Sequence, residues 1–175
     1  MNLNELWTTA HGMVFGFIFL LGFAGALYGV YIMKPEWLTA EGTSANVNRL
    51  RIFLWVLAIA VWLAVFSGTY IVYPLYRAAP PEGTVDLTNF PRYLLLANES
   101  TAFWHKFGME WKEHVAFISP LAATVVAFAV QYYGATLSKK PEIRRWIMIF
   151  FIVAFLAASA AGMFGAFITK AAPVR

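Results

Sequence analysis

Four stretches of this chain are each close to the roughly 20 residues that cross a lipid hydrocarbon core. They run over 7–33, 52–73, 115–133 and 146–168, and none contains Asp, Glu, Lys or Arg. The first is unbroken apolar or glycine from Met13 onward. No alternation of apolar and polar residues interrupts them, so they read as helices and not as strands of a closed barrel. The whole chain is 61% hydrophobic and 13% charged, where a soluble domain has about twice that charge. The expectation is an all-α, integral membrane, up-down four-helix bundle in a single domain over 1–175. Its helices are placed at about 7–33, 49–75, 101–134 and 142–169.

The connections agree with that division. Lys34-Pro35 ends the first helix, Pro74 sits near the end of the second, and Pro141 suits the first turn of the fourth. The segment 76–100 carries Pro80, Pro81, Gly83 and Pro91 and reads as an extra-membrane lid. The N-terminal segment has no positive flank before its long apolar run, so it is expected to stay on the mature protein. Basic residues are dense in two short connections, Lys34, Arg49 and Arg51 in one, and Lys139, Lys140, Arg144 and Arg145 in the other. Arg77, Arg92, Lys106, Lys112, Lys170 and Arg175 are spread along longer segments at the opposite end, among acidic residues. The rule that positive loops stay inside puts the two short loops in the cytoplasm and both termini outside, in the periplasm of a bacterial inner membrane. On this reading the net charge of +4 reports topology and not nucleic-acid binding.

Chemistry is scarce. There is no cysteine, which excludes disulfides, thiolate metal sites and covalent c-type haem. A His-Glu-x-x-His zinc motif, a phosphate-binding glycine loop and the carboxylates of a di-iron bundle are all missing. Three histidines remain, His11, His105 and His114, all toward the outer end. His11 precedes the unbroken apolar run of the first helix, and His114 directly precedes that of the third. Diagonal helices running in the same direction would set these two imidazoles at matching depth, as a bis-histidine haem requires. His105 lies about 13 Å farther out on the same helix and is the alternative ligand. Small residues around that depth, Gly12, Gly16, Gly68 and Gly162 among them, would leave room for a porphyrin. Arg77 and Arg92, with Lys106 and Lys112, are basic partners for propionates.

Other readings of the same residues stand beside this one. Gly12-x-x-x-Gly16 is a common helix-packing pattern, and interfacial histidines with Trp7, Trp37, Trp104 and Trp111 suit an aromatic belt. Glu110, one turn before His114, could orient that imidazole or simply be solvated. Imidazoles near Met13, Met109 and Met163 would also suit copper.

With His11, His114 and the glycine-lined outer half in place, the chain resembles small four-helix membrane b-type cytochromes over all four spans. That resemblance implies a non-catalytic or electron-transfer subunit of an oxidoreductase complex, holding one haem b. It would pass electrons between quinone or a partner membrane subunit and a periplasmic redox protein such as a cytochrome. Three histidines cannot supply two bis-histidine haems, so the diheme members are not matched. The alternative functions are a cofactor-free structural or assembly subunit of a respiratory or photosynthetic complex, and a copper-binding membrane protein.

Overall fold

The computed structural model describes residues 2–35 and 40–174, with side chains except at 40–44. Trp37 and Arg175, counted above in the aromatic belt and the outer charge, lie outside the described residues. Among those residues every regular element is helical. Four are long and apolar enough to cross a membrane: α1 Leu3–Tyr31, α2 Ala45–Arg77, α4 Glu99–Lys139 and α5 Pro141–Ala171. A short α3, Pro91–Leu96, interrupts the expected lid.

The helices reach beyond their apolar runs because polar caps start them. Asn2 accepts the Glu5 N–H at 2.8 Å while the Glu5 carboxylate accepts the Asn2 N–H at 2.9 Å. This reciprocal pair starts α1 at Leu3, several residues before the apolar pattern. Asn98 does the same for α4 by accepting the Ser100 N–H at 2.9 Å. Pro141 occupies the first turn of α5, where a missing N–H costs nothing.

α1 packs on α2, α2 on α4, α4 on α5, and α5 back on α1. Phe19, Leu54, Leu57, Val126, Val130 and Phe151 fill the space they enclose and are almost wholly buried. Phe23 stacks on Phe155 and leans on Phe151, joining α1 to α5. Trp62 donates to Thr124 Oγ1 at 3.0 Å, joining α2 to α4. The outer faces carry Leu21, Ile52, Leu121, Phe128 and Leu156, all exposed. Such a surface suits lipid contact on every long helix.

Three π-helical segments interrupt the regular winding: Ala10–Gly16 in α1, Gly68–Val72 in α2 and Trp104–Met109 in α4. One has a clear cause. Pro74 cannot donate to the carbonyl four residues back and its ring crowds that carbonyl, so the turn before it widens. A separate irregularity falls at 115–117, just before Pro120, where the Ile118 and Ser119 N–H groups bond three residues back instead of four. π segments of this kind recur at functional sites.

A second apolar cluster closes the histidine end. Tyr76, Leu95, Met109, Ile168 and Ala172 are buried together, so α3 packs onto the ends of α2, α4 and α5. The other end is tied by Arg144, which donates to the Met33 carbonyl at 2.5 Å and the Ser138 carbonyl at 3.3 Å. Arg51 donates to the Gln131 carbonyl at 3.1 Å, and its guanidinium lies against Gly134, whose φ of +50° excludes most side chains.

Candidate functional site

His11 sits in the π segment of α1 and turns toward α2. Its Nδ1 is 2.6 Å from the Ala64 carbonyl oxygen, which can only accept, so Nδ1 carries the proton and donates. In the neutral ring the other nitrogen, Nε2, then holds the free lone pair. Ser67 lies beside this bond, its hydroxyl 3.4 Å from Nδ1 while donating to the Leu63 carbonyl at 2.6 Å. The ring rests on Gly68: a Cβ built there would fall 2.6 Å from His11 Cε1 and 3.0 Å from Nδ1. Gly68 therefore seats the imidazole itself, a role more specific than leaving room for a porphyrin.

His105 occupies the π segment of α4 and meets a different part of α2. Its Nδ1 is 2.8 Å from the Tyr76 hydroxyl, and Tyr76 is 2% exposed. Arg92, Arg77, Glu110 and Glu113 all lie within range of its charge. Tyr76 is eight residues past Gly68 on α2, about 12 Å along the axis. His11 and His105 are therefore at different levels and do not converge on one point.

His114 points away from the other helices. Its side chain is 73% exposed and its Nε2 lies 3.3 Å from Glu110 Oε2, one turn earlier. The structure does not bring His11 and His114 together across the core. Helix phase is the reason: two residues rotate the side chain by about 200°, so with Lys112 turned inward, His114 must face out. The Lys112 ammonium approaches Gly165 of α5, 2.8 Å from where a Cβ would stand there, and its charge reaches His11.

The remaining predicted positions divide. Gly12 has nothing within 4 Å of a built Cβ, and Gly162 has only Leu20 at 3.9 Å, so both border open ground. At Gly16 a Cβ would meet only the His11 carbonyl oxygen, at 3.6 Å. Arg77 lies over the Tyr73 ring and Arg92 over the Tyr93 ring, beside His105 and not beside His11. Met13 and Met163 are exposed while Met109 is buried. Among the described residues no group of three or more metal-binding His, Asp or Glu forms.

Two features of the site escape sequence reasoning. The Ala64 carbonyl is a backbone group with no side-chain signature, and Tyr76 carries no spacing signal toward His105. Comparison with protein-family models, with curated proteins and with solved structures finds no match.

Proposed function

We propose that this chain is an integral membrane electron-transfer subunit that holds one b-type haem through His11. The observation that carries this reading is the His11–Ala64 bond. Histidines that ligate metals almost always donate their other ring N–H to a carbonyl or carboxylate, which fixes the tautomer and presents the bare nitrogen. His11 is held in that state, on a glycine that admits its ring, within a π segment. Gly12 and Gly162 are exposed on two helices that pack together, so no side chain of their own would obstruct a flat ligand laid against that side. When bound, haem would supply a one-electron couple. The protein's part is to hold the imidazole, exclude water with its apolar helices and place the group near one membrane surface.

The apolar length of the four helices supports an up-down arrangement across a membrane, and the basic residues of the two short connections are the ground for reading it as a bacterial inner membrane with the histidine end in the periplasm. Partners of that arrangement are other membrane subunits of a redox complex, quinone and a periplasmic cytochrome. A second reading is favoured by a specific observation. The His11 ring is closely packed and already hydrogen-bonded, as a purely structural membrane histidine would be, and this suits a cofactor-free assembly subunit.

A visible spectrum of the detergent-purified protein, with haem extraction and metal analysis, separates the two. Non-covalent haem extractable in acid acetone, lost in His11→Ala, is the expected result. Colourless protein with complete native assembly overturns it, and stoichiometric copper replaces it.

A further inference from the structure

One exposed face of α4 carries a groove of about 510 Å³, lined by Thr124, Val125, Phe128, Ala129, Tyr132 and Tyr133. These positions span about 14 Å of helix, from the middle of the apolar run to its loop end. Phe128 stacks on Tyr132, and Tyr132 meets Tyr133 edge to face, so much of the wall is aromatic ring. The polar side chain at the inner end is spent: Thr124 accepts from Trp62 Nε1 at 3.0 Å and donates to the Pro120 carbonyl at 2.7 Å. The groove therefore suits hydrocarbon along its length. Its loop end is positive. Lys140, just past α4, holds its ammonium 5.9 Å from the centre of the Tyr133 ring. From α2, Arg51 donates to the Gln131 carbonyl at 3.1 Å and so fixes a second cation beside the same turn. Among the described residues no carboxylate pairs with either cation. Lys140 is exposed, so its ammonium is free to meet a group in the headgroup layer.

We infer that this groove holds an acyl chain of one anionic phospholipid, whose acidic headgroup meets Lys140 in the added field of Arg51. An apolar trench ending under two cations matches the two halves of such a molecule, and basic pockets at helix ends recognise acidic headgroups. The bond from the ammonium to the phosphate is charge-assisted. A zwitterionic lipid would fill the trench equally and gain less at its end. Neither half of the site depends on a cofactor at His11.

The test is lipid retention by the full-length protein in detergent, supplied with phosphatidylglycerol or phosphatidylcholine of the same chains and read by native mass spectrometry. Wild type should keep one phosphatidylglycerol per chain and lose phosphatidylcholine more readily. Lys140→Gln should lower phosphatidylglycerol retention roughly fivefold, the worth of one cation beside acidic lipid, and leave phosphatidylcholine unchanged. Lys106→Gln, at an exposed lysine toward the other end of α4, should change neither. Ala129→Phe, which puts a ring into the groove, should remove both lipids. Equal retention of the two lipids by wild type overturns the inference, as does full phosphatidylglycerol retention by Lys140→Gln or by Ala129→Phe. A wild-type dimer that carries no phosphatidylglycerol and that Ala129→Phe splits also overturns it, by giving the groove to a second copy. Should Ala129→Phe fail to assemble, phosphatidylglycerol with a photoreactive acyl chain decides on wild type. Its cross-links should fall within 124–133, and cross-links confined to other segments overturn the inference.

Discussion

Gly68 and the imidazole of His11 are in such close register that a single added methyl would stand 2.6 Å from Cε1. The ring lies on the backbone of α2 with no side chain between, and that contact aims Nδ1 at the Ala64 carbonyl at 2.6 Å. The relationship gives the candidate site its most direct mutational handle.

Gly68→Ala is expected to displace the imidazole, because the methyl meets ring atoms and not a flexible chain end. Overpacking of this kind costs about 1–3 kcal/mol. The protein should lose its haem, or its histidine packing if it has none, while Gly25→Ala leaves both unchanged because a Cβ there meets only Phe53, at an ordinary 3.6 Å. Thermal unfolding in detergent and haem content per chain check the pair. Equal behaviour of the two variants would show that the His11–Gly68 contact does not govern the site.

How much of this was legible in the sequence differs between fold and site. The four long helices follow from run length and missing charge, since lipid tolerates few alternatives. Their true starts were not legible in the apolar pattern, because Asn2 and Asn98 act through backbone N–H groups outside it. At the site, depth could be counted from His11 and His114, but the direction of each side chain could not. That direction depends on helix phase, and the π segments and the irregular turn before Pro120 shift phase away from a regular count. This is why Lys112, and not His114, faces inward.

Orientation across the membrane is testable with fusions. Reporters placed at the C-terminus should be active outside the cytoplasm, and those at residue 42 or 140 inside. The motive is the concentration of Lys34, Arg49, Arg51, Lys139, Lys140, Arg144 and Arg145 near two short connections. The reverse pattern would place the histidine end in the cytoplasm and remove the periplasmic partner.

Arg144 contributes to this orientation as charge, but its bonds predict something else. It joins the Met33 carbonyl at the end of α1 to the Ser138 carbonyl before α5. Arg144→Met keeps the apolar stem yet leaves both carbonyls without this donor, at about 1.5–3 kcal/mol for bonds to a charged group. A lowered unfolding temperature is expected, with lysine recovering little because it lacks the planar fork. Full recovery by Arg144→Lys would mean that only the charge matters.

The three histidines give the most discriminating experiment. His11→Ala is expected to abolish haem binding, since it removes the one imidazole whose Nδ1 is anchored on Ala64 with its ring seated on Gly68. His105→Ala should leave the spectrum intact. Its ring bonds Tyr76, about 12 Å farther along α2 than the His11 seat, so its loss should lower stability and not haem content. His114 separates the sequence expectation from the geometry. A bis-histidine site would give a sharp low-spin α-band that His114→Ala converts to a high-spin, carbon monoxide-binding form. With its side chain 73% exposed and paired to Glu110, the geometry instead leaves His11 as the only histidine in place. Wild type should then show high-spin features, and His114→Ala should match it. A low-spin wild type that changes in His114→Ala would mean that α4 turns this imidazole inward when haem binds. The spectrum thus decides between one ligating histidine and two, so the wild-type spin state is the first measurement to make.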